Sequence, residues 1–451
     1  MTTRKCAHAR CSCEFDPARM IGVGEDYFCS AVCAVPDHGD GATGVCACGH
    51  GSCGQVDRSE SATTFRSRRA RELKNAQPFF SQHETAQPPT RDPPLPGIMA
   101  TVGNTPLVRL SRLLDRNDLE VFAKLELANP GGSAKDRPAH LMLKRALDGG
   151  HLRPGGLVVE SSSGNTAIAM AQFCNLHDLR FRAVVDRRTQ SANLGVMRAL
   201  GAEIEFVEDS ASDSTNLLAA RQDRVREIVA STPGAFWPNQ HANPANPAAH
   251  EHGTMTEIWE ALDGSLDYLL VAVSTTGTAI GCHRFLARRR AKTKLVVVDA
   301  VGSVIFGAQP GPRPIPGLGA SAVPPLLIDG EFESVETVSA LDCVVGCRRL
   351  ARRESILAGG SAGGVVQVLR RYVGRMAPGA RCALILADHG VRYLDTVFDD
   401  QWVEQTLDCD PERLASLVAD PDSRVTREHA PPQVSRLGWG GSDFGARGGC
   451  E

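Results

Sequence analysis

The chain has 451 residues, of which 42% are hydrophobic and 22% charged, and its net charge is −3 at pH 7. These values are typical of a globular protein with two or three domains and a sizeable core. They give no electrostatic basis for nucleic-acid binding, and the longest apolar runs fall far short of the ~20 residues that a membrane span needs. No apolar stretch precedes the first cysteines, so we expect no signal peptide and a cytoplasmic protein.

Residues 1–56 are distinguished by their cysteines. Eight of the fifteen cysteines lie in the first 53 residues, interleaved with histidines. In a reducing compartment such density indicates metal binding more than disulfides. The few large apolar residues cannot form a stable core unaided, so metal binding is expected to supply the folding energy. The predicted ligands are Cys6, His8, Cys11, Cys13, Cys29, Cys33, His38, Cys46, Cys48, His50 and Cys53.

The runs CAHARCSC, YFCSAVCAVPDHG and CACGHGSC resemble the bacterial metallothioneins, which hold a zinc cluster with cysteines and two histidines. The sequence departs from that family at His8, where a cysteine is usual, and at the terminal Cys53-Gly54-Gln55. Eleven potential ligands are too many for one tetrahedral ion. A multinuclear zinc cluster is the preferred interpretation; mononuclear zinc sites or a redox disulfide relay are the alternatives.

Two further regions have the composition of linkers or tails. Residues 57–96 are rich in proline, arginine, serine and glutamine without a periodic apolar face, and are predicted to be a linker. The basic run at residues 66–74 is interpreted as a solvated face. Residues 406–451 are polar and rich in glycine and proline, which predicts a short helix followed by a partly disordered tail.

Residues 97–405 show the pattern of an α/β domain. Strand-like runs such as VFAKLEL, LVVESS and FRAVVD alternate with helical stretches such as GNTAIAMAQFCNL. This alternation is typical of parallel strands joined by crossover helices. Binding sites in such folds lie in the loops beyond the carboxyl ends of the strands, and four of these loops are rich in small polar residues.

The first two loops each allow two interpretations. The lysine loop, residues 129–137 (NPGGSAKDR), places Lys135 as a nucleophile at a helix start. Alternatively, it is a capped surface helix with Ser133 as N-cap, Asp136 in the first turn and a solvated lysine. The carboxylate loop, residues 161–166 (SSSGNT), either binds a carboxylate at a helix N-terminus or serves only as an elaborate cap.

The other two loops complete a recognisable set. The phosphate loop, residues 274–278 (STTGT), offers hydroxyls and amides suited to a phosphate, but lacks the Gly-Lys-Ser/Thr end of a P-loop. The serine loop, residues 358–364 (AGGSAGG), isolates Ser361 between glycines. A nucleophilic lysine, a phosphate site, a carboxylate site and a partner for a ring nitrogen are the parts that pyridoxal phosphate (PLP) needs.

From residue 97 to about residue 405 the chain resembles the cysteine synthase group of fold type II PLP enzymes. Six motifs occur in the order that is usual in that group: VGNTPLVRL, NPGGSAKDR, ESSSGNTAIA, NQHANPANPAAHEHGTMTEIW, STTGT and LAGGSAG. The resemblance implies two doubly wound α/β subdomains, PLP as cofactor, β-replacement through an aminoacrylate, and a homodimer.

By position, the resemblance makes Lys135 the Schiff-base residue that moves the α-proton, Asn165 the partner of the cofactor's ring hydroxyl, and Ser361 the partner of its pyridine nitrogen. A neutral serine there leaves a weaker electron sink, which favours β-elimination over transamination. The implied phosphate ligands are Ser274, Thr275, Thr276, Gly277 and Thr278. The implied ligands of the substrate carboxylate are Ser162, Ser163 and Thr166.

The acceptor amino acid is indicated by a departure from the cysteine synthase pattern. Four runs are more similar to the N-(2-amino-2-carboxyethyl)-L-glutamate synthases of staphyloferrin B siderophore biosynthesis. They are VVDRRTQSANLGVMRALGA, DAVGSVIFG, PIPGLGAS and DHGVRYLDTVF. That resemblance implies joining O-phospho-L-serine to L-glutamate with release of phosphate. A partner oxidoreductase would then yield 2,3-diaminopropionate.

The substrate residues and the function each keep alternatives. Arg221 stands where the siderophore enzyme places a substrate-binding arginine, but a helix-surface arginine fits the same pattern. His241 stands where relatives have an aromatic residue. One alternative function is a cysteine synthase that uses sulfide with O-phosphoserine or O-acetylserine. Another is a metal-storage or metal-sensing protein with a silent PLP fold.

Overall fold

The computed structural model describes residues 95–207, 217–327 and 332–419, together with the backbone of four short strands near the N-terminus. The chain divides into two compact units, Met1–Pro93 and Pro94–Glu451. In the first unit β1 (Arg4–Lys5) pairs with β2 (Glu14–Phe15), and β3 (Ile21–Val23) pairs with β4 (Asp26–Phe28), both antiparallel. The predicted metal ligands from Cys6 to Cys53 lie outside the described residues, as do residues 57–94 and 420–451.

The strands of the second unit form two sheets. They are β5 (Leu107–Arg109), β6 (Glu120–Leu125), β7 (Leu157–Ser161), β8 (Arg180–Val185), β9 (Glu203–Phe206), β10 (Tyr268–Ala272), β11 (Lys294–Ala300), β12 (Ser334–Val338) and β13 (Arg381–Leu386). The large sheet has the order β12-β11-β10-β13-β6-β5 and the small sheet the order β7-β8-β9. All neighbouring strands in them are parallel except β5 and β6, which confirms the predicted α/β architecture.

Helices connect these strands. They are α1 (Asp136–Asp148), α2 (Asn165–Leu176), α3 (Ser191–Ala199), α4 (Leu217–Ser231), α5 (Ala245–Ala249), α6 (Met255–Ala261), α7 (Gly277–Arg288), α8 (Ala340–Glu354), α9 (Gly360–Tyr372), α10 (Asp400–Leu407) and α11 (Pro411–Ala419). A π-helical turn, His250–Thr254, joins α5 to α6. Short 3₁₀ turns lie at Ile98–Thr101, Glu126–Ala128, Pro325–Leu327, Val373–Arg375 and Gly390–Tyr393. None of the described helices is long and apolar enough to cross a membrane.

The strand order reverses at one point in each sheet. In the large sheet β11 and β12 lie on one side of β10, whereas β13 returns to its other side. In the small sheet β8 lies on one side of β7, while a parallel bridge joins Val158 of β7 to Phe236, later in the chain. Ligands of open α/β sheets bind beyond the carboxyl ends of strands at such reversals. The phosphate loop follows β10 and the carboxylate loop follows β7, so both lie where this rule places a site.

Each sheet has its own apolar core. The central strands of the large sheet are buried, and Val297 of β11, Val366 of α9 and Leu384 of β13 are completely inaccessible to solvent. Helix α11 lies in the segment assigned to the tail, where Leu414 and Val418 are buried as part of the large sheet's core. The small sheet packs against α1 and α2 through a second cluster. These two cores hold the loop-bearing strand ends in fixed positions.

Candidate active site

The lysine loop is shaped by two glycines and a buried aspartate. Gly132 has a φ of +79°, in the region that favours glycine. A Cβ on Gly131 would lie 2.6 Å from Oδ1 of Asp136, and its backbone N–H donates to that carboxylate at 2.5 Å. Burial raises the pKa of Asp136 to about 7. Helix α1 begins at Asp136, so Lys135 lies at the helix entrance, as predicted.

Lys135 lines a cavity and is only partly exposed. Burial lowers the pKa of its amine, against the charges of Asp388 and Glu126, which act to raise it. The same cavity is lined by residues 274–278, by Ser361 and by Ala387. The interpretation of this stretch as a capped surface helix with a solvated lysine is therefore wrong. The predicted lysine, phosphate and serine loops meet in one place.

The phosphate loop joins β10 to α7 in a conformation that excludes larger side chains. Thr276 adopts a left-handed backbone conformation with a φ of 64°, a costly one for a β-branched residue. A Cβ on Gly277 would lie 2.1 Å from Oδ1 of Asn246. The Asn246 amide donates to the carbonyl of Gln240 at 2.8 Å and to Oγ1 of Thr275 at 3.3 Å. The start of α7 is thus held with its backbone N–H groups beside the cavity.

The carboxylate loop uses part of its polar groups to support itself. The Ser162 hydroxyl accepts from the N–H of Ala167 at 3.2 Å and therefore caps α2. Thr166 Oγ1 donates to Oε1 of Gln240 at 2.6 Å. The Ser163 carbonyl accepts from the Asn193 amide at 3.2 Å. The loop therefore serves as an elaborate cap at the end of β7, and carboxylate binding by it stays a prediction.

A buried acid lies beneath this loop. Glu160 is fully buried, and burial raises its pKa to about 7. Its carboxylate accepts from the Trp237 indole at 3.1 Å and from the backbone N–H of Gln240 at 3.2 Å. These bonds link β7 to the segment that carries His241.

Arg221 and His241 lie close to each other and to Lys135. Nη1 of Arg221 is 3.3 Å from Oδ2 of Asp186, and only 13% of the arginine side chain is exposed. Its Nε is buried without a hydrogen-bond partner among the described residues. Burial, together with the charges of Arg221 and Lys135, lowers the pKa of His241 to about 4. The interpretation of Arg221 as a helix-surface residue is wrong; a substrate contact stays a prediction.

The residues that line the cavity fit PLP in their donor set. An amine with a lowered pKa lies in the same cavity as the N-terminus of α7, whose amides suit a phosphate dianion. The lack of a Cβ at Gly277 permits the close contact with Asn246 at the start of α7, and Ser361 supplies a neutral hydroxyl. The sequence profile of the pyridoxal-phosphate dependent enzymes matches residues 98–388. The chain belongs to this family.

Individual PLP-dependent enzymes extend the similarity. A protein of Ralstonia nicotianae named N-(2-amino-2-carboxyethyl)-L-glutamate synthase is 49% identical over 306 residues, which cover 68% of this chain and 90% of the relative. One of the same name from Cupriavidus metallidurans is 46% identical over 310 residues, with the same coverage. The crystal structure of O-acetylserine dependent cystathionine beta-synthase from Helicobacter pylori matches with a TM-score of 0.63 and 28% identity, over 68% of this chain and 99% of that one.

In this PLP-dependent enzyme the segment after β13 links three of the four loops. The Asn165 amide donates to Oδ2 of Asp388 at 2.8 Å, and its oxygen accepts from Arg392. Arg392 also donates to the carbonyl of Gly131 in the lysine loop, and Tyr393 donates to Asp388 at 2.5 Å. The backbone of Asp388 pairs with Ser133 and accepts from the N–H of Gly359, before the serine loop's helix.

A buried ionic network holds Arg137, at the end of the lysine loop, in place. Arg137 forms paired bonds with both oxygens of Glu126, at 2.7 and 2.8 Å, and with both oxygens of Glu257, at 2.6 and 2.7 Å. Nζ of Lys124 lies 2.6 Å from Glu257. Burial acts to raise the pKa of Glu257, but its bonds with Arg137 and Lys124 lower that pKa to about 2. The network fixes the chain two residues after Lys135.

Most of these supporting residues are not predicted from the sequence. The motifs NQHANPANPAAHEHGTMTEIW and DHGVRYLDTVF contain Asn246, His250, Asp388 and Arg392, but the motifs gave no role for them. Within residues 95–207, 217–327 and 332–419, no three His, Cys, Asp or Glu side chains form a metal-binding group. The predicted zinc ligands lie outside those ranges.

Proposed function

We propose that this enzyme joins O-phospho-L-serine and L-glutamate to give N-(2-amino-2-carboxyethyl)-L-glutamate and phosphate. The observation that supports this most is the 49% and 46% identity to two synthases of that name, each matched over 90% of its length. The product suits siderophore biosynthesis through 2,3-diaminopropionate. In the reaction the Cβ–O bond of phosphoserine breaks with loss of phosphate, and a Cβ–N bond to glutamate forms as its amine loses a proton.

The residues that line the cavity support the proposed roles on the cofactor side. Bound PLP withdraws electrons from the Cα of the amino acid, which allows a β-substituent to leave. Lys135 Nζ binds the cofactor, takes the Cα proton and returns it; its lowered pKa suits both steps. The amides and hydroxyls of residues 274–278 would bind the cofactor phosphate, and Ser361 its ring nitrogen. Asn165, which bonds Asp388 and Arg392, would bind the ring hydroxyl, as the resemblance implies.

The substrates bring three carboxylates and one phosphate into the site, so cations and donors are needed. Ser162, Ser163 and Thr166 bind the phosphoserine carboxylate at the N-terminus of α2. Arg221 binds a glutamate carboxylate, for which its unpartnered Nε supplies a donor. His241 stays neutral above a pKa of about 4 and offers a hydrogen bond without adding charge.

The remaining parts of the proposal rest on the sequence. Residues 1–56 form a zinc-binding module, residues 57–96 a linker and residues 97–405 the catalytic domain. Residues 406–451 form a polar tail, except that α11 within it packs into the core of the large sheet. The enzyme works in the cytoplasm as a homodimer, and an oxidoreductase consumes its product. Deleting residues 1–56 and comparing turnover with and without zinc tests whether the module regulates catalysis; equal rates and an equal oligomeric state would exclude regulation.

The function is tested by incubating the PLP-loaded protein with O-phosphoserine and either glutamate or sulfide, and identifying products by mass spectrometry. The expected product is the glutamate adduct, with one phosphate released per adduct. Cysteine as the sole product would replace the proposal with the cysteine synthase alternative. No turnover with either acceptor in a protein that binds PLP would favour the silent-scaffold alternative.

A further inference from the structure

His250 is a buried histidine that the proposed reaction does not use. It begins the π-helical turn His250–Thr254 and is completely inaccessible to solvent. Its Nδ1 lies 3.0 Å from Oγ1 of Thr254, and its Nε2 lies 3.2 Å from Oγ1 of Thr278. Thr278 belongs to the phosphate loop and lines the cavity. The imidazole therefore connects a buried hydroxyl to one at the proposed cofactor-phosphate site.

The contact depends on a close approach of α7 to the π-helical turn. A Cβ on Gly281 of α7 would lie 2.3 Å from the carbonyl of Pro247 and 2.9 Å from Cβ of His250. A glycine at this position lets the helix carry Thr278 within hydrogen-bond distance of the imidazole. Single π-turns within helices frequently occur at functional sites. The glycine contact and the π-helical turn both indicate that His250 has a specific role, rather than only filling space in the core.

The hydrogen-bond partners select one tautomer of His250. The hydroxyl proton of Thr254, which is completely buried, has one acceptor within the described part of the chain, Nδ1 of His250. If Nδ1 carried the proton instead, the Thr254 hydroxyl would be left buried without an acceptor, which costs free energy. Thr254 therefore donates to Nδ1, and the ring proton lies on Nε2.

The direction of the second bond follows from the first. The Nε2–H of His250 donates to Oγ1 of Thr278, so the threonine hydroxyl keeps its own proton for another acceptor. That hydroxyl lines the cavity, and no other partner is found for it among the described residues. Burial and the charges of Lys135 and Arg137 lower the pKa of His250, against Glu257, so the ring stays neutral and keeps Nδ1 as an acceptor.

We propose that His250 is a positioning residue that orients the Thr278 hydroxyl as a donor to the cofactor phosphate, through the relay Thr254 to His250 to Thr278. The inference rests on the proposed placement of that phosphate at residues 274–278. Reversal of the relay would turn the oxygen lone pairs of Thr278 towards a dianion. The direction in which the Thr278 hydroxyl donates therefore matters more than its distance from His250.

The test compares PLP binding to the apoenzyme and the ³¹P NMR shift of the bound cofactor, both without substrate. Thr278→Val removes the donor, and loss of one charge-assisted hydrogen bond is expected to weaken PLP binding roughly 10- to 100-fold. Gln can place an amide N–H near the position of Nε2, whereas Asn reaches only the position of Nδ1. His250→Gln is therefore expected to keep the wild-type affinity and shift, and His250→Asn to match Thr278→Val in both.

A double-mutant cycle separates positioning from a general structural role. His250→Asn combined with Thr278→Val should bind PLP no more weakly than Thr278→Val alone, since the histidine acts through that hydroxyl. Additive losses, or equal affinities for His250→Gln and His250→Asn, would overturn the relay. Thr256→Val is the matched control, because the Thr256 hydroxyl donates to the carbonyl of Glu251 at 3.0 Å and does not line this cavity; it should leave affinity and shift unchanged.

The outcome is independent of the acceptor substrate. If the product assay yields cysteine while the PLP-binding data follow the pattern above, the proposed reaction fails and the relay stands. If the glutamate adduct forms while Thr278→Val binds PLP as wild type does, the relay fails and the reaction stands.

Discussion

The phosphate loop and the carboxylate loop are built in opposite ways. Around the phosphate loop the side chains bond to one another, as Asn246 does with Thr275 and His250 with Thr278. Around the carboxylate loop, Oδ1 of Asn193 and Nε of Arg221 are buried without partners among the described residues. Buried polar atoms normally have partners, so these two unpaired atoms leave bonding capacity for a ligand beside the carboxylate loop. The cofactor side is therefore the more preorganised of the two, although the carboxylate loop is also held by bonds of Ser162, Thr166 and Asn193.

The sheets that carry the two loops differ in size and in burial. The phosphate loop follows β10, which lies in the large sheet between two buried parallel strands, β11 and β13. The carboxylate loop follows β7 of the three-stranded sheet; β7 is buried, but the far strand β9 of this smaller sheet is only partly buried. A preorganised site holds its donors at no further cost during reaction. We therefore expect mutations on the cofactor side to abolish binding or turnover, and those on the substrate side to alter selectivity.

The largest effect is expected for Lys135→Ala. Removing the amine removes both the attachment of PLP and the group that moves the Cα proton, so turnover should fall by more than ~1,000-fold. The absorbance expected near ~410 nm for lysine-bound PLP should vanish as well. The control is Lys144→Ala on the exposed face of α1, where Lys144 pairs with Asp148 at 2.7 Å. Retained absorbance in Lys135→Ala would refute the assignment.

Glu257→Gln tests the ionic support beneath the lysine loop. Leaving Arg137 and Lys124 with a neutral partner should lower the free energy of unfolding by about 3 kcal/mol at pH 7, measured by urea denaturation. The pKa of Glu257 is depressed to about 2, so its contribution is complete above the unfolded pKa of about 4.3 and is lost as the pH falls towards 2.

The pH dependence supplies the decisive comparison for Glu257. The wild type should lose stability relative to Glu257→Gln as the pH falls from about 4.3 to 2, so the two curves approach each other. A constant gap over this range would contradict the network. The exposed Glu260, on the same helix α6, gives the matched control; Glu260→Gln should follow the wild type.

Gly277→Ala tests the shape of the phosphate loop. The added Cβ would meet the Asn246 amide at 2.1 Å, so the loop must shift and PLP affinity should fall roughly 10- to 100-fold. Gly195→Ala in α3 is the control, because a Cβ there has no atom within 4 Å. It should bind PLP normally and gain up to ~1 kcal/mol of stability from helix propensity. Equal PLP affinities for the two variants would show that the loop is not preorganised.

The positions of the loops were easier to predict from the sequence than the residues that hold the loops in place. The lysine, carboxylate and phosphate loops each follow a strand run and open a helix, so their position at the sheet edge was predictable from local pattern. The serine loop follows helix α8 instead of a strand. The supports depend on strand order: Asn165 and Asp388 are 223 residues apart and meet only because of how the chain arranges its sheets. Arg221 illustrates the same limit, since its helix reads as charged and only the fold shows that the side chain is buried.

The smallest of these effects, and the most specific, is expected for Arg221→Met, which removes a cation from the substrate side and keeps the bulk of the side chain. PLP binding and the first step with O-phosphoserine should persist, while KM for glutamate rises about 10-fold or more. Arg224→Met is the control one turn along α4, where Arg224 pairs with Glu205 at 2.6 Å and is 41% exposed; its KM should match the wild type.

The same Arg221 variant also separates the two acceptors, because sulfide needs no carboxylate partner. If Arg221 serves glutamate, the KM for glutamate rises in Arg221→Met while any turnover with sulfide stays unchanged. An equal loss with both acceptors would instead show that the Arg221–Asp186 pair supports the fold of the small sheet. In that case the unpartnered Nε would not mark a ligand site, and the contrast between the two loops would rest on Asn193 alone.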